Sequence, residues 1–263
     1  MNRNIVIFTD CVDIAFNELH QTINGELDKL GINEFKIAPL VAVREFSIEA
    51  ASFSIRTLAD LYPSGSVFLC VVNPTKQLDG DYRIFGETNH GITFVGDNVG
   101  YFNWMIKDFG LKYLYKNKIT QDKNSKSFGG KQVGAPTVAK IVSGDSLDEL
   151  GRKASEADLC EFSIPSATIV YCDNFGLIKI KFDNLDFSNF KVGQKIRIFV
   201  NGDYKLDATY AVKWKLQPDG TWVFFSSSSS MGSMAELGKI KSPNSAAELG
   251  VKEGDLILFE LLN

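Results

Sequence analysis

The chain is predicted to combine an α/β N-terminal domain, with a doubly wound and mostly parallel sheet, and a small all-β, barrel-like C-terminal domain. In the first half, apolar runs typical of buried strands alternate with segments of helical spacing. In the second half, short strand-like segments are separated by Gly, Asn and Asp turns. We therefore expect two domains, residues 1–160 and 161–263, joined by a linker at residues 161–165.

The first half opens with a predicted strand, helix and second strand. Residues 5–8 are a continuous β-rich apolar run, and residues 13–27 carry apolar side chains at roughly helical spacing. Residues 35–38 begin with apolar and polar alternation and are stopped by Pro39, which a central strand does not tolerate. This order is typical of a βαβ unit.

The same alternation continues along the N-terminal domain. A helix is predicted over 48–62, ended by Pro63 and Gly65, and the unbroken apolar run at 67–72 suits a strand buried on both faces. Further strands are predicted at 82–87 and 92–95, and further helices at 101–109 and 135–141. The strands predicted for the C-terminal domain span 167–171, 177–182, 195–200, 210–214, 222–225 and 256–261.

Composition excludes several classes of protein. The 263 residues include 28 Lys+Arg and 32 Asp+Glu, for a net charge of −4, with no basic block to track nucleic acid or anionic lipid. No stretch approaches the roughly 20 apolar residues of a membrane span. Four scattered Cys and two His show no metal-ligand spacing. We expect a cytoplasmic protein with reduced thiols, no metal site, no nucleic-acid partner and no membrane association.

Polar residues at strand ends are the first candidates for chemistry. Asp10 follows the first strand, where open α/β sheets bind ligands, and its carboxylate can accept two hydrogen bonds from a ribose diol. Alternatively, Asp10 or Asp13 caps the following helix. Asn73 follows the strand at 67–72 and is either a polar group at the rim of the sheet or part of an Asn-Pro turn.

Two loops are further candidates. The glycine-bearing segment 127–131 precedes a predicted helix and either approaches a ligand closely or is simply flexible; it lacks the spacing of a phosphate-binding Walker loop. The serine run at 226–230 is predicted to be an ordered loop of hydroxyls and amides that receives a carboxylate. Neither a Ser–His–Asp nor a Cys–His set can be assembled, which argues against covalent catalysis.

Taken in order, the segments resemble the S-adenosylmethionine hydroxide adenosyltransferase family, relatives of the fluorinase and chlorinase. The resemblance covers nearly the whole chain and is most specific in the C-terminal NSAAELGVKEGD. The segments that carry it are TD (9–10), VREFSIEAAS (43–52), FLCVVNP (68–74), FVGDNVG (94–100), SFGGKQVGAP (127–136), DNFG (173–176) and NSAAELGVKEGD (244–255).

The resemblance implies a homotrimer that binds S-adenosylmethionine as substrate, without a further cofactor, between the N-terminal domain of one subunit and the β domain of its neighbour. Water, or halide in the relatives, attacks the ribose C5′, and methionine leaves as a neutral thioether. The implied roles are ribose binding by Asp10, packing on the sugar by Phe46, binding of the methionine ammonium by Asp173, adenine stacking by Phe175 and carboxylate binding by Ser230. Asn73, Thr75 and Gly130 complete the implied substrate-binding set.

The chain departs from this family at the positions that handle water. The hydrolases carry an Asp, an Arg and a His where this chain has Asn73, Gly80 and Gly129. An amide does not accept a proton from water and glycine has no side chain, so general-base assistance worth about 10²–10⁴-fold is missing. Arg83 would substitute only if the intervening loop is remodelled. Leu177 and Met231 replace an Asn and an Arg that the family uses in adenine and carboxylate recognition.

Three functions are compatible with this pattern. The protein hydrolyses S-adenosylmethionine to adenosine and methionine, with positioning and desolvation supplying most of the acceleration. Alternatively, it uses halide as the nucleophile. Loss of the charged triad would suit a halide pocket, and Gly130 stands where the fluorinase has a halide-contacting Ser and the chlorinase a small residue. The third alternative is a protein that binds S-adenosylmethionine or another nucleoside without turnover.

Overall fold

The computed structural model describes residues 3–73, 82–120, 128–229, 231 and 233–262. The chain divides into two compact units, Met1–Ser163 and Ile164–Asn263. Each unit is built on its own sheet and has its own hydrophobic core.

The first unit alternates strands and helices as far as residue 109 and ends in two further strands and two helices. Its strands are β1 (Arg3–Thr9), β2 (Phe35–Ile37), β3 (Val41–Ala42), β4 (Val67–Val71), β5 (Arg83–Thr88), β6 (Thr93–Asp97), β7 (Leu111–Asn117) and β8 (Gly151–Ala154). Its helices are α1 (Ile14–Lys29), α2 (Ile48–Ala59), α3 (Asn103–Phe109), α4 (Ala135–Ser143), preceded by a π-helical turn at Gly130–Gly134, and α5 (Leu147–Leu150).

The sheet of the first unit is mixed, with parallel pairs in its first half and antiparallel pairs in its second. The strand order is β2-β1-β4-β6-β5-β7-β8, with β3 also paired to β1. The pairs of β1 with β2, β3 and β4, and of β4 with β6, are parallel. The pairs β5–β6, β5–β7 and β7–β8 are antiparallel. A turn of only a few residues joins β5 to β6, and so short a connection cannot join parallel strands.

Helices cover both faces of the parallel half of this sheet. Alternate side chains of β1 point to opposite faces. Ile5 and Ile7 are fully buried in the cluster that holds the apolar stripes of α1 and α4. Phe8 contacts the ring of Phe68 at 5.0 Å between centroids, and α2 packs against α3. Burial on both faces explains why β1 and β4 are continuous apolar runs.

The second unit is an antiparallel sheet with one parallel pair, curled so that its two edges meet. Its strands are β9 (Thr168–Cys172), β10 (Ile178–Lys181), β11 (Lys195–Val200), β12 (Asp203–Tyr210), β13 (Trp222–Ser226), β14 (Met234–Lys239) and β15 (Ile257–Leu261). The order is β15-β11-β12-β13-β14-β10-β9, and a bridge between Thr168 and Leu256 joins the edges. A short helix, α6 (Ser245–Leu249), completes the unit.

One predicted strand of this unit is misplaced. Residues 210–214 do not form a strand: β12 ends at Tyr210, and Trp214 begins a 3-10 turn. The strand itself runs over Asp203–Tyr210, where its first residues are exposed and polar, so that the apolar signal is weak. None of the helices in the described part of the chain has the length and apolar character that a bilayer span requires.

Candidate functional site

The carboxyl ends of the parallel strands β1, β4 and β6 open into a cavity of about 490 Å³ within the first unit. This edge is where open α/β sheets bind ligands. The cavity contains two of the sequence-predicted strand-end residues, Asp10 and Asn73, together with Gly129 and Gly130. Its described polar lining also includes Cys11, Tyr82, Arg83, Asp97 and Asn117.

Asp10 is held in a fixed orientation by two main-chain donors. Its Oδ2 accepts the main-chain N–H of Asn73 at 3.0 Å and that of Phe46 at 3.3 Å. Asp13, and not Asp10, caps the following helix: its Oδ1 accepts the N–H of Ala15 at the start of α1. Oδ1 of Asp10 accepts the Cys11 thiol at 3.8 Å, so Asp10 is a carboxylate at the rim of the sheet that lines the cavity and keeps lone pairs for further donors.

Phe46 sits in the turn between β3 and α2 in an unusual backbone conformation. Its φ is +61°, in the left-handed region that a bulky side chain rarely occupies, and 51% of the residue is exposed. The conformation directs its N–H to Asp10, and the following Ser47 caps α2 through its hydroxyl. An exposed aromatic ring in a left-handed backbone conformation therefore lies beside the Asp10 carboxylate.

Arg83 fills the space that Gly129 leaves. A Cβ added at Gly129 would overlap Nη2 of Arg83 and would lie 2.8 Å from Cζ. The guanidinium is held from its other sides by the Tyr82 hydroxyl, at 3.1 Å from Nη2, and by the Tyr82 ring at 4.8 Å. Any side chain at position 129 would therefore displace Arg83.

Asp97 is the partner of Arg83 across the β5–β6 pair. The two residues are direct register partners, and Arg83 Nε lies 3.4 Å from Asp97 Oδ1. Burial raises the pKa of the Asp97 carboxyl to about 6, an effect that the Arg83 charge offsets only in part. The cavity thus contains a carboxyl group that titrates near neutral pH, which is common at functional sites.

A tyrosine fixes the main chain at Asp97. Tyr101 is fully buried; its hydroxyl accepts the N–H of Asp97 and donates to the carbonyl of Cys70 at 3.3 Å. This close approach needs Gly96, where an added Cβ would lie 2.6 Å from the Tyr101 oxygen. Burial raises the pKa of both Tyr101 and Cys70 well above their usual ranges, so both are neutral at physiological pH.

Gly130 lies in the cavity wall with no room for a side chain. A Cβ at this position would meet Cγ1 of Val71 at 2.5 Å, so the main chain passes against the end of β4. The helical segment that begins at Gly130 continues without a break into α4. Gly129 and Gly130 thus serve close packing against Arg83 and Val71, which decides against a merely flexible loop for these two residues.

Asp173 and Phe175, two of the predicted site residues of the second unit, lie in a turn at the end of β9. Asp173 Oδ1 accepts the N–H groups of Phe175 and Leu177, both at 2.9 Å, and its Oδ2 is 3.8 Å from Lys179 Nζ. Phe175 at the tip of this turn is 70% exposed. Leu177 is buried in an apolar cluster with Val223 and contributes no polar group at the surface.

Three predicted positions lie outside the described residues: Thr75 and Gly80 within 74–81, and Ser230. Sequence reasoning also missed Asp97 as a site residue. Its signal was similar to that of Asp10, an acidic residue at the carboxyl end of a buried strand, within the segment FVGDNVG. Across the described ranges, no group of three or more His, Cys, Asp or Glu side chains is arranged to hold a metal ion.

Comparisons with known proteins place the chain in a family. The model of the SAM hydroxide adenosyltransferase N-terminal domain matches residues 7–151, and the chain belongs to this family. It is 26% identical over 147 residues to a protein of Methanocaldococcus jannaschii named (R)-S-adenosyl-L-methionine hydrolase. That match covers 55% of this chain and 54% of the relative, so the chain matches about half the length of that protein.

Solved structures share the fold over the whole chain. An uncharacterized conserved protein from Thermotoga maritima superposes with a TM-score of 0.75 at 19% identity, covering 97% of this chain and 99% of the other. A conserved hypothetical protein from Thermus thermophilus gives a TM-score of 0.70 at 17% identity, with both chains fully covered. These likenesses show a shared fold and carry no statement about activity.

Proposed function

We propose that the protein binds S-adenosylmethionine with its ribose in the cavity of the first unit and transfers the adenosyl group to water. The observation that carries this proposal is the Asp10 carboxylate, fixed by the N–H groups of Phe46 and Asn73 at the carboxyl end of β1. Both ribose hydroxyls can donate to the oxygen sites that remain. The products are adenosine and methionine.

The charges that line the cavity favour a cationic ligand. Its described lining contains two carboxylates, Asp10 and Asp97, and one guanidinium, Arg83. When both carboxyls are ionised, the local charge is negative and complements a sulfonium centre. Attack at C5′ converts that sulfonium to a neutral thioether, so the leaving group needs no proton.

Binding without turnover is the second candidate function. Asn73 contributes its main-chain N–H to Asp10, its amide side chain accepts no proton, and Gly129 has no side chain at all. A protein that kept the ribose-binding carboxylate and lost these groups would bind an adenosyl ligand and release it unchanged. A halide-using adenosyltransferase is the third alternative, although Val71 leaves no room for a hydroxyl-bearing side chain at Gly130.

We further propose that Asp173, Phe175 and Ser230 complete the site from a neighbouring copy in a homotrimer in the cytoplasm. The exposed ring of Phe175 supports this proposal, because a large exposed aromatic group at a turn tip fits stacking on a base. Light scattering is expected to give three times the monomer mass. A monomer would remove the residues of the second unit from the site.

Calorimetry with S-adenosylmethionine, followed by chromatography of the same sample with and without chloride, tests the function. Hydrolysis predicts binding heat with adenosine and methionine as products at equal rates in both buffers. Binding heat with intact ligand identifies a binding protein, and a chloride-dependent nucleoside identifies a halide-using enzyme. No heat and no product would contradict the proposal.

A further inference from the structure

The proposed hydrolysis leaves one question, namely which group removes the proton of the attacking water. Asn73 and Gly129 offer no acceptor, and within the described lining of the cavity the carboxylates are Asp10 and Asp97. Oδ2 of Asp10 already accepts two main-chain N–H groups. Asp97 Oδ1 is 3.4 Å from Arg83 Nε, longer than the roughly 2.7–2.9 Å of a close charge-assisted bond.

We propose that Asp97 is the catalytic base of this protein and that Arg83 positions the attacking water beside it. The inference rests on the proposed hydrolase function and adds to it the pair that replaces the missing water-handling residues. It assigns catalysis to a strand-end carboxylate on β6 and to the first residue of β5.

The placement of both groups supports this assignment. Cys70 of β4 pairs with Gly96 of β6, so Asp97 lies beside Val71 at the end of β4. On its other side, β4 pairs with β1, and Asp10 follows β1. Arg83 reaches the same edge as the register partner of Asp97. Asp97 and Asp10 therefore line one cavity from strands on either side of β4.

Gly129 explains why Arg83 can occupy this position. The guanidinium of Arg83, from β5, occupies the volume that a side chain at position 129 would fill. Tyr82 holds the guanidinium through its hydroxyl and ring face. A guanidinium fixed in this way can donate to a water oxygen and leave the water proton directed at Asp97.

The step balances without any further reactant. The water oxygen forms a bond to C5′ while the C5′–S bond breaks. The electron pair of the C5′–S bond passes to sulfur, which becomes a neutral thioether. One water proton passes to the Asp97 carboxylate, and the other stays on the new 5′-hydroxyl of adenosine. Asp97 then releases its proton to solvent.

The surroundings of Asp97 give it suitable basicity. Burial raises its pKa to about 6, close to the pH at which a general base must work. The titratable groups that face it in the described structure are Arg83 from β5, the Cys70 thiol from β4 and the Tyr101 hydroxyl. Only Arg83 is charged near neutral pH, because burial raises the pKa of the other two.

The test measures kcat, KM and their pH dependence for the full-length wild type and for Asp97→Asn, Asp97→Glu and Arg83→Lys. Asp219→Asn is the matched control, since Asp219 forms an exposed ion pair with Lys241 in the second unit. Wild-type kcat is expected to rise with pH through about 6. D97N should lose about 100-fold or more in kcat and lose this dependence, with little change in calorimetric affinity.

The other variants separate the role of each group. D97E should keep the rise of kcat with pH at acidic pH and should recover part of kcat. R83K should lower kcat about tenfold, because an ammonium does not reproduce the guanidinium geometry. D219N should match the wild type. Because R83K keeps the charge, it also tests the pair if D97N fails to fold.

The outcomes distinguish this inference from the function on which it rests. Wild-type turnover that persists in D97N with the same pH profile overturns the inference and leaves the hydrolase proposal intact. Wild-type binding without turnover at any pH overturns the inference together with the catalytic half of that proposal, while ribose binding by Asp10 stands. Absence of both binding and turnover overturns both.

Discussion

The main-chain N–H of Asn73 donates to Oδ2 of Asp10 at 3.0 Å, joining the ends of two parallel strands through one carboxylate. Asn73 thus contributes its main-chain N–H to the orientation of Asp10, the residue for which we propose ribose binding. The carboxylate and the strand ends orient each other.

Asp10→Ala is expected to weaken S-adenosylmethionine binding by about 100-fold, since hydrogen bonds to a charged group contribute about 1.5–3 kcal/mol each. Calorimetry measures the change directly. Asp13→Ala is the matched control, because Asp13 caps α1 and its loss should cost about 1 kcal/mol of stability without changing affinity. Unchanged affinity in D10A would exclude the ribose role.

Gly129→Ala is expected to fold and to lose activity. The added Cβ would overlap Nη2 of Arg83, the mobile end of a long side chain, so the guanidinium would move away from its present place. We expect kcat to fall about tenfold, as for other small displacements of positioning groups. Steady-state kinetics at saturating substrate provide the measurement.

Gly25→Ala is the control for that substitution. Gly25 lies within α1, and an added Cβ there has no neighbour within 4 Å. This variant should gain about 0.5–1 kcal/mol of stability from helix propensity and keep wild-type kinetics. If G129A also kept wild-type kinetics, Arg83 would have no positioning role.

Asp97→Asn is expected to stabilise the protein at neutral and alkaline pH. The pKa of Asp97 is raised from 3.8 to about 6 on folding, so the folded state binds the proton more tightly and the wild type loses stability as pH rises through this window. The asparagine variant does not share that loss. Thermal unfolding should show a gain of about 1–3 kcal/mol near pH 8 that disappears near pH 4.

A constant difference between D97N and the wild type across this range would contradict a raised Asp97 pKa. D219N again serves as control. Its carboxylate is exposed, and its substitution should change stability by less than about 0.5 kcal/mol at every pH. A gain in stability with a loss of turnover in D97N would also show that the site retains a destabilising carboxylate for function.

Arg56→Met is expected to destabilise the first unit by about 2–3 kcal/mol. Arg56 is 8% exposed. Its Nε lies 2.5 Å from Asp108 Oδ2, and its Nη1 lies 2.7 Å from Asp60 Oδ2. Its guanidinium carbon lies 4.4 Å from the centre of the Phe109 ring. Removing the cation takes the guanidinium away from two partly buried carboxylates. Urea unfolding would measure the loss.

Lys241→Met provides the comparison for an exposed pair, since Lys241 and Asp219 are both largely in solvent. Its effect should stay below about 1 kcal/mol. Equal losses in the two variants would mean that the Arg56 pairs contribute no more than a surface ion pair.

Local patterns predicted the elements that are strongly periodic or wholly apolar. The helix at α1 and the strands β1 and β4 follow from the apolar residues that must be buried on one stripe or on both faces. The strand β7 was missed because its residues, LKYLYKN, mix lysine with apolar groups at an antiparallel position of the sheet. A short turn, rather than any strand pattern, makes β5 and β6 antiparallel.

The sequence by itself indicated the strands and helices of the first half and the family, because burial periodicity and motif order can be read along the chain. It also placed Asp10 at a strand end. Only the tertiary structure decided that Asp13 rather than Asp10 caps α1, and that Arg83 fills the space at Gly129 beside Asp97. The second of these relationships joins residues from separate segments, because pairing register and the volume left by a missing side chain exist only once the sheet has formed.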